Sequence, residues 1–386
     1  MLEVSFSKER LDPEWDRFLE NMPHSCYQQG SLWAKLRAVQ GWRPLRLVVR
    51  RHGQIVGGVQ MLLRPLPLFG TVGFVSKGPI VAPDDPAVQE FVLDQLDRVA
   101  RAEHIFFLKI QLPHGADGLG RRLLERDAQP SEIPVTPRAT ACFDIRPEPE
   151  AILARMHHKT RYNIRRADRV GVAIRRGTEA DIPTLYRLAK IHAKLRGYGS
   201  SGVEKSYYDL WSVLSSSDHI CLFMAEYKGD VFAANASVLF GDTVTNRWLV
   251  DDGRYRNLNA HSRLHWEVVL WGKERGCAWY NLGKIAMPVA RALMEGEPPP
   301  DTGRGWQARF KMSFGSRLMV SPGVYDVSYL RPRRLTGRLI PLLINMGPLL
   351  RLLIGGRLGG HVRRRHRETQ DVTMDLEQRP QSSGTR

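Results

Sequence analysis

The stretch Met156–Val172, MHHKTRYNIRRADRVGV, limits the chain more than any other. Its spacing predicts one basic helix that begins near Pro149 and is ended by Gly171. A strand follows from Val172 to Arg175. Glycine after the last helical residue is the usual stop. At helical period Ile152, Met156, Asn163, Ala167 and Val170 fall near one face. Arg155, Lys159, Arg166 and Arg169 line another, with Tyr162 beside them. A cationic stripe beside an apolar seam suits a packed helix that offers charge to a polyanion. A solvated surface helix would carry the same residues.

Three motifs bear on the choice. Lys159, Arg161, Tyr162, Ile164, Ala167, Gly171 and Val172 spell K-x-R-Y-x-I-x-x-A-x-x-x-G-V. Downstream, Arg309-Phe310-Lys311-Met312-Ser313-Phe314-Gly315 contains F-K-x-x-F-G. Near the start Gln29, Trp33 and Lys35 form Q-x-x-x-W-x-K. In this order, over most of residues 1–330, they resemble the FemABX family of tRNA-dependent peptidyltransferases. Those enzymes add amino acids to the stem peptide of peptidoglycan precursors. The resemblance implies an α/β (α+β) fold of two GNAT-like acyltransferase domains packed around a cleft.

Length and charge agree with that size and chemistry. A chain of 386 residues suggests about two domains. Hydrophobic residues at 42% allow packed cores. A net charge of +17 should attract tRNA, anionic lipid headgroups or a phosphorylated substrate. Cys26, Cys142, Cys221 and Cys277 form no C-x-x-C pair or zinc-type cluster, and are read as reduced thiols of a cytosolic protein. No secretory signal opens the chain, because Met1–Arg10 carries Glu3 and Glu9 and no apolar run follows. His157 and His158 read as polar surface on the basic helix, and neither a metal nor a cofactor is implied.

In chain order, a helix over Leu32–Val39 is expected with Ser31 as its N-cap. A hairpin around His52-Gly53, further strands, a helix over Ala87–Ala102 and strands at Ile105–Leu112 and Ala141–Ile145 complete the first half. The second half runs from the basic helix through helices at 179–196 and 204–216 and a three-strand run over Ile220–Val250. A helix at His261–Glu274 and a strand at Trp279–Leu282 close it. Met287–Gly305 reads as a linker or lid. Val324–Leu330 is expected to return to the first sheet. The expected division is therefore 1–147 plus about 316–331 for the first domain and 148–315 for the second. A basic helical segment at 332–365 and a disordered tail at 366–386 follow. The apolar run Leu339–Ile354 is too short and interrupted to span a membrane. It reads either as docked helices or as an interfacial segment on anionic lipid at the cytoplasmic face.

Moving an aminoacyl group from an ester to an amine requires a neutral amine, two aligned substrates and a donor for the oxyanion. It requires no covalent nucleophile, and the chain has no G-x-S-x-G elbow. The resemblance places Lys311 at the reacting centre, and Phe310 beside it is a candidate for stacking on an unpaired RNA base. It offers Lys35 and Arg161 for the precursor's phosphates. Arg165 joins them by proximity, and Tyr207 or Tyr208 is a candidate for lining the precursor site. Lys159, Arg166 and Arg169 are candidates for tRNA phosphates. The implied partners are aminoacyl-tRNA and a lipid-linked or UDP-linked muropeptide. Two departures point to a changed acceptor: Tyr280-Asn281-Leu282-Gly283-Lys284 stands where the family reads Y-D-F-G-G, and Lys109-Ile110-Gln111 replaces an arginine-and-acid pattern. An acyl-CoA-dependent N-acyltransferase is the first alternative, disfavoured because Arg254–Ser262 lacks the phosphate-cradling glycines. A non-catalytic RNA- or membrane-binding protein is the second.

Overall fold

The computed structural model describes residues 1–22, 26–66, 70–81, 85–197 and 202–329. The expected basic segment at 332–365 and tail at 366–386 lie outside them. Two mixed sheets organise the rest. The first runs Leu2–Ser7, Arg43–Arg51, Gln54–Leu66, Gly70–Ser76, Ile105–Gln111, Val324–Ser328 and Gln129–Pro130, with Ile80–Val81 paired to Gln54–Leu66. The second runs Arg317–Val320, Ala139–Asp144, Trp279–Ile285, Thr243–Asp251, Asp230–Phe240, Ile220–Tyr227 and Ala173–Arg176.

Two strands assigned by chain order to the first module belong to the second. Ala139–Asp144 pairs with Trp279–Ile285, and Arg317–Val320 pairs with Ala139–Asp144. Their apolar residues decide this, since Ala139, Ala141 and Phe143 bury into the second core. The chain then crosses back, and Val324–Ser328 pairs with Ile105–Gln111 of the first sheet. Lys109 is buried in that sheet and bonded to Asp326 and Ser131, a structural pairing across the crossover.

Alternation along the strands builds the layers. Leu45, Leu47 and Val49 face the helix Pro86–Ala102, while Val48 faces Trp15 and Leu19 on the other side. In the second sheet Cys221, Phe223 and Ala225 face the core under helix Ala260–Glu274. Leu222 and Met224 face Leu185 and Leu188 of helix Ile182–Arg196. The modules meet through Leu36 of helix Ser31–Val39 and Leu210, Val213 and Leu214 of helix Glu204–Leu214.

Each sheet has one parallel seam, and the two seams differ. In the first, Gly70–Ser76 stays paired with Ile105–Gln111 from Thr71 to Ser76. In the second, Thr243–Asp251 pairs with Trp279–Ile285 only at Thr243, Val244 and Thr245. Beyond that point both strands bulge. Against its other neighbour, the register of Thr243–Asp251 skips at Arg247, and that of Trp279–Ile285 skips at Leu282. Gly283 takes φ +86, a left-handed conformation that favours glycine, and Asn281 Oδ1 accepts from its N–H at 2.8 Å. The strands part there and a hollow opens.

The long basic helix is two helices, Pro149–Arg155 and His158–Arg169. Met156 and His157 are extended at the break. No proline or glycine marks it; the F-K segment does. His157 N–H donates to the Ser313 carbonyl at 2.8 Å, and Thr160 and Ser313 hydroxyls meet at 2.7 Å. Gly315, at φ +75, lies so close that a Cβ would come within 2.8 Å of the Arg155 carbonyl oxygen. Residues 287–305 are more ordered than a lid, since Met287–Met294 is helical and Gly303 opens the helix Gly303–Met312. Gly30, not Ser31, is the N-cap of Ser31–Val39; Ser31 instead bonds Asp16 through both its N–H and its hydroxyl.

Candidate active site

The parted seam of the second sheet is the floor of a hollow of about 530 Å³. Asn246, Arg247, Trp248 and Leu282 come from the two bulged strands. His192 and Arg196 come from helix Ile182–Arg196, His261 and His265 from helix Ala260–Glu274, and Phe310 and Lys311 from Gly303–Met312. A second hollow of about 240 Å³ shares Arg196, His261 and Phe310 with it and adds Asn163 and Ser262. A third, of about 300 Å³, lies beside Arg155, Trp279, Phe314 and Arg317.

Lys311 is held by the bulge. Its Nζ donates to the Lys284 carbonyl at 2.8 Å and lies 3.7 Å from where a Cβ on Gly283 would stand. Burial, with repulsion from Lys284 added, brings its ammonium down from 10.5 to about 8. Lys311 is therefore mostly cationic at neutral pH yet near the point of giving up its proton.

The polar floor is a chain of hydrogen bonds. Asn246 Nδ2 donates to Asn235 Oδ1 at 3.0 Å and to the Trp248 carbonyl at 3.4 Å. The Ser237 hydroxyl donates to the same Asn235 oxygen at 2.8 Å. Asn235 Nδ2 reaches the Tyr280 hydroxyl at 3.5 Å and His265 Nδ1 at 3.4 Å. The Tyr280 hydroxyl lies 2.7 Å from that Nδ1. His265 is 1% exposed, and burial, with His261 and Lys311 nearby, holds it neutral.

At the junction of the first two hollows one carboxylate serves two imidazoles. Asp251 Oδ2 lies 3.1 Å from His192 Nδ1 and 3.0 Å from His261 Nε2. The His261 contact is close but is not aligned as a directed hydrogen bond. Burial raises the carboxyl's pKa, but the two imidazoles outweigh burial and hold it well below the usual carboxylate range.

The structure brings together only part of the expected set. Phe310, Lys311 and Tyr207 line the main hollow. Tyr207 is also core, 2% exposed and stacked on Trp248 at 4.3 Å, whereas Tyr208 packs at the edge of that cluster. Phe310 packs against His265 and Phe314, with ring centroids 5.8 and 5.3 Å away. Arg161 is not in the wall of these hollows. Its Nη1 donates to the carbonyls of Met156 and Ala154 and so caps the end of helix Pro149–Arg155. Lys159, Arg165 and Arg169 are exposed and Arg166 is half-buried, all outside the three hollows; Arg169 lies over the Tyr162 ring. Arg161 and Lys311 therefore do not share one wall, and Asn163 carries the basic helix's contribution. Lys35 is half-buried on a helix whose Arg37 lies close to Arg64 and Arg247.

Sequence reasoning missed Arg196, His192, Asp251, His261 and His265. His261 and His265 stand one helical turn apart, a spacing visible in the sequence. The remainder meet only through the fold.

Comparison with known proteins divides the chain in two. The FemAB family model matches residues 11–114, and an acetyltransferase (GNAT) domain model matches residues 154–290. The lipid II:glycine glycyltransferase of Staphylococcus aureus (strain MRSA252) is 24% identical over 225 residues, 55% of this chain and 53% of that protein. The chain thus spans about half the length of the curated relatives it matches. A crystal structure of FemX superposes with a TM-score of 0.75 at 17% identity, covering 87% of this chain and 99% of that one. A tandem GNAT protein from the clavulanic acid pathway gives 0.50 at 13% identity, covering 85% and 98%. The fold is a tandem of GNAT-like modules. The family match over the first module, a curated relative of the same kind and the FemX superposition together support a place in the FemABX family.

Proposed function

We propose that this protein transfers an aminoacyl group from aminoacyl-tRNA to an amino group on the stem peptide of a peptidoglycan precursor, building the interpeptide bridge. The observation that carries this reading is the parted seam with Lys311 in its wall. A cation of lowered pKa, a neutral histidine and an aromatic ring converge on a hollow large enough for an aminoacyl ester and an incoming amine. Lys311 supplies positive charge to the developing oxyanion or to the terminal ribose and phosphate, and Phe310 offers a face to an unpaired base. Tyr207 lines the same hollow, and Lys35 stays a candidate for the precursor's phosphates although it is outside that hollow's wall. A thiol nucleophile is poorly supported, since burial pushes Cys142 and Cys221 up to about 12 and Cys277 to about 11. Lys159, Arg165, Arg166 and Arg169 line a basic surface beside the hollows that suits the acceptor stem of a tRNA. The net charge of +17 suits work at the cytoplasmic face of the membrane, where a lipid-linked acceptor resides.

The acyl-CoA reading has one observation in its favour: the second hollow covers the start of helix Ala260–Glu274, where a phosphate could meet backbone N–H groups. One experiment separates the two. Purified protein is given charged tRNA and a lipid-linked muropeptide, and the products are weighed by mass spectrometry. The expected product is the muropeptide extended by one residue, abolished by RNase. Product formed from acyl-CoA without RNA overturns the tRNA reading.

A further inference from the structure

Helix Gly303–Met312 brings a second aromatic ring to the main hollow, one that the F-K motif does not include. Trp306 and Phe310 both line it, four residues apart on the helix. That spacing puts them on one face, about 6 Å apart along the axis. The two rings sit differently. Phe310 is half-buried beside Lys311 and packed against His265 and Phe314. Trp306 is 57% exposed and stands at the mouth.

A single exposed apolar residue needs no explanation by itself. This one is held in place. Its Nε1–H donates to Asp301 Oδ1, and the same oxygen accepts from Arg309 Nη2 at 2.7 Å. Arg309 Nη1 donates in turn to the Pro299 carbonyl at 2.7 Å. Indole has one donor and no acceptor, so what remains to offer is its flat apolar face. A ring already oriented loses little freedom when a partner stacks on it. The wall around it favours an anion. Arg196, Arg247 and Lys311 line the same hollow, and among the described residues no carboxylate does. A flat ring beside a cationic wall matches a nucleotide, with the base on the indole and the phosphate toward the arginines.

We infer that Trp306 is an RNA-binding residue that stacks on the next-to-last base of the unpaired 3′ end, while Phe310 takes the last base. The inference rests on the aminoacyl-transfer reading above. Depth sets the order. The ester is carried on the terminal ribose and must reach Lys311, so the terminal base lies by Phe310. Its neighbour then lies one helical turn nearer the mouth, by Trp306. Stacking tolerates any base, since every base has a π-face, so this contact adds grip without reading sequence.

The test measures binding of a fluorescently labelled RNA microhelix with an unpaired 3′ end, by anisotropy, beside single-turnover transfer from charged tRNA. Wild type is compared with Trp306→Leu, which keeps apolar bulk without a π-face, and Trp306→Phe, which keeps the face. Kd should rise about ten- to a hundredfold in Trp306→Leu and stay within about threefold in Trp306→Phe. Transfer at saturating RNA should change by less than about threefold, and the muropeptide KM should not move. A microhelix abasic at the next-to-last position should bind wild type about tenfold more weakly, yet lose no further affinity in Trp306→Leu. Losses that multiply would mean that ring and base do not meet, and they overturn the inference. An unchanged Kd in Trp306→Leu, or a loss confined to the muropeptide KM, does the same. In each of these cases wild-type transfer from charged tRNA leaves the transfer reading standing. A wild type that neither binds the microhelix nor transfers from tRNA removes both. Should Trp306→Leu fail to fold, the abasic microhelix decides on the wild type, where undiminished binding overturns the inference.

Discussion

The two parallel seams show how one architecture serves two purposes. In the first sheet the seam stays paired from Thr71 to Ser76, and several buried polar groups elsewhere in that module bond one another, although Arg46 Nη2 has no partner among the described residues. Arg46 there is wholly buried, yet its Nε bonds Gln60 Oε1 at 2.7 Å and its Nη1 bonds the Glu9 carbonyl at 2.6 Å. Gln29 bonds the Ser76 carbonyl and the Gln60 N–H, both at 2.8 Å. In the second sheet the seam opens after Thr245, and the polar residues at the opening face a hollow. A strand pair left unzipped exposes backbone and side-chain groups that a ligand can satisfy; a zipped pair spends them on itself. On the proposed function, the first module is scaffold at this position and the second carries the reaction.

Substitutions can break or sharpen that contrast. The largest effect belongs to the open seam. Lys311→Met should lower the transfer rate about 10²–10³-fold with the fold intact, read by single-turnover kinetics beside circular dichroism. The first sheet, away from the reactive hollow, should show the reverse. A Cβ on Gly58 would stand 2.3 Å from the Leu47 carbonyl and 2.9 Å from the Trp15 ring. Gly58→Ala should therefore cost about 1–3 kcal/mol in denaturant titration, while the folded fraction keeps its kcat. Gly283→Ala lies between the two. Forcing a side chain onto φ +86 costs about 1 kcal/mol or more and disturbs the Lys311 perch. A rate loss of about tenfold is expected, with a smaller loss of stability.

Arg161→Met tests whether the basic helix reaches the chemistry. Its capping role predicts a stability loss of about 1 kcal/mol and a precursor KM within about threefold of wild type. A tenfold KM change would assign it to phosphate binding instead. The smallest effect is in pH. The folded pKa of Lys311, about 8, lies below its ordinary 10.5, so between those values the folded state binds fewer protons than the unfolded. Stability from this group accordingly rises with pH across that window, and Lys311→Met should raise Tm more at pH 7 than at pH 10. If the charge is needed, activity falls as pH rises through about 8. Lys284→Met, by removing repulsion, should move that fall upward by less than about one unit.

Much of this was legible in the chain. Phe310 and Lys311 are adjacent in sequence, so a short motif can mark them. Periodicity revealed the helix Pro86–Ala102 and the hairpin at His52-Gly53. Sheet membership was not legible. Ala139–Asp144 follows the first module in sequence, and only its pairing with Trp279–Ile285 shows where it belongs. The break at Met156–His157 was hidden because the helical period continues across it, while its cause, Ser313 and Gly315, is far along the chain. The spacing of the motif does not tell that Arg161 closes the helix that precedes it. His192, Asp251 and His261 come from a helix, a strand end and a second helix, so no window of sequence contains them together.

The central claim is that the opened seam receives the aminoacylated end of an RNA. Lysine footprinting by mass spectrometry tests it most directly, with an amine-selective reagent applied near pH 8 in the presence and absence of an aminoacylated RNA microhelix. The account predicts that Lys311 is strongly protected by the microhelix and Lys35 much less. Labelling of Lys311 at the same rate with and without the RNA would contradict it.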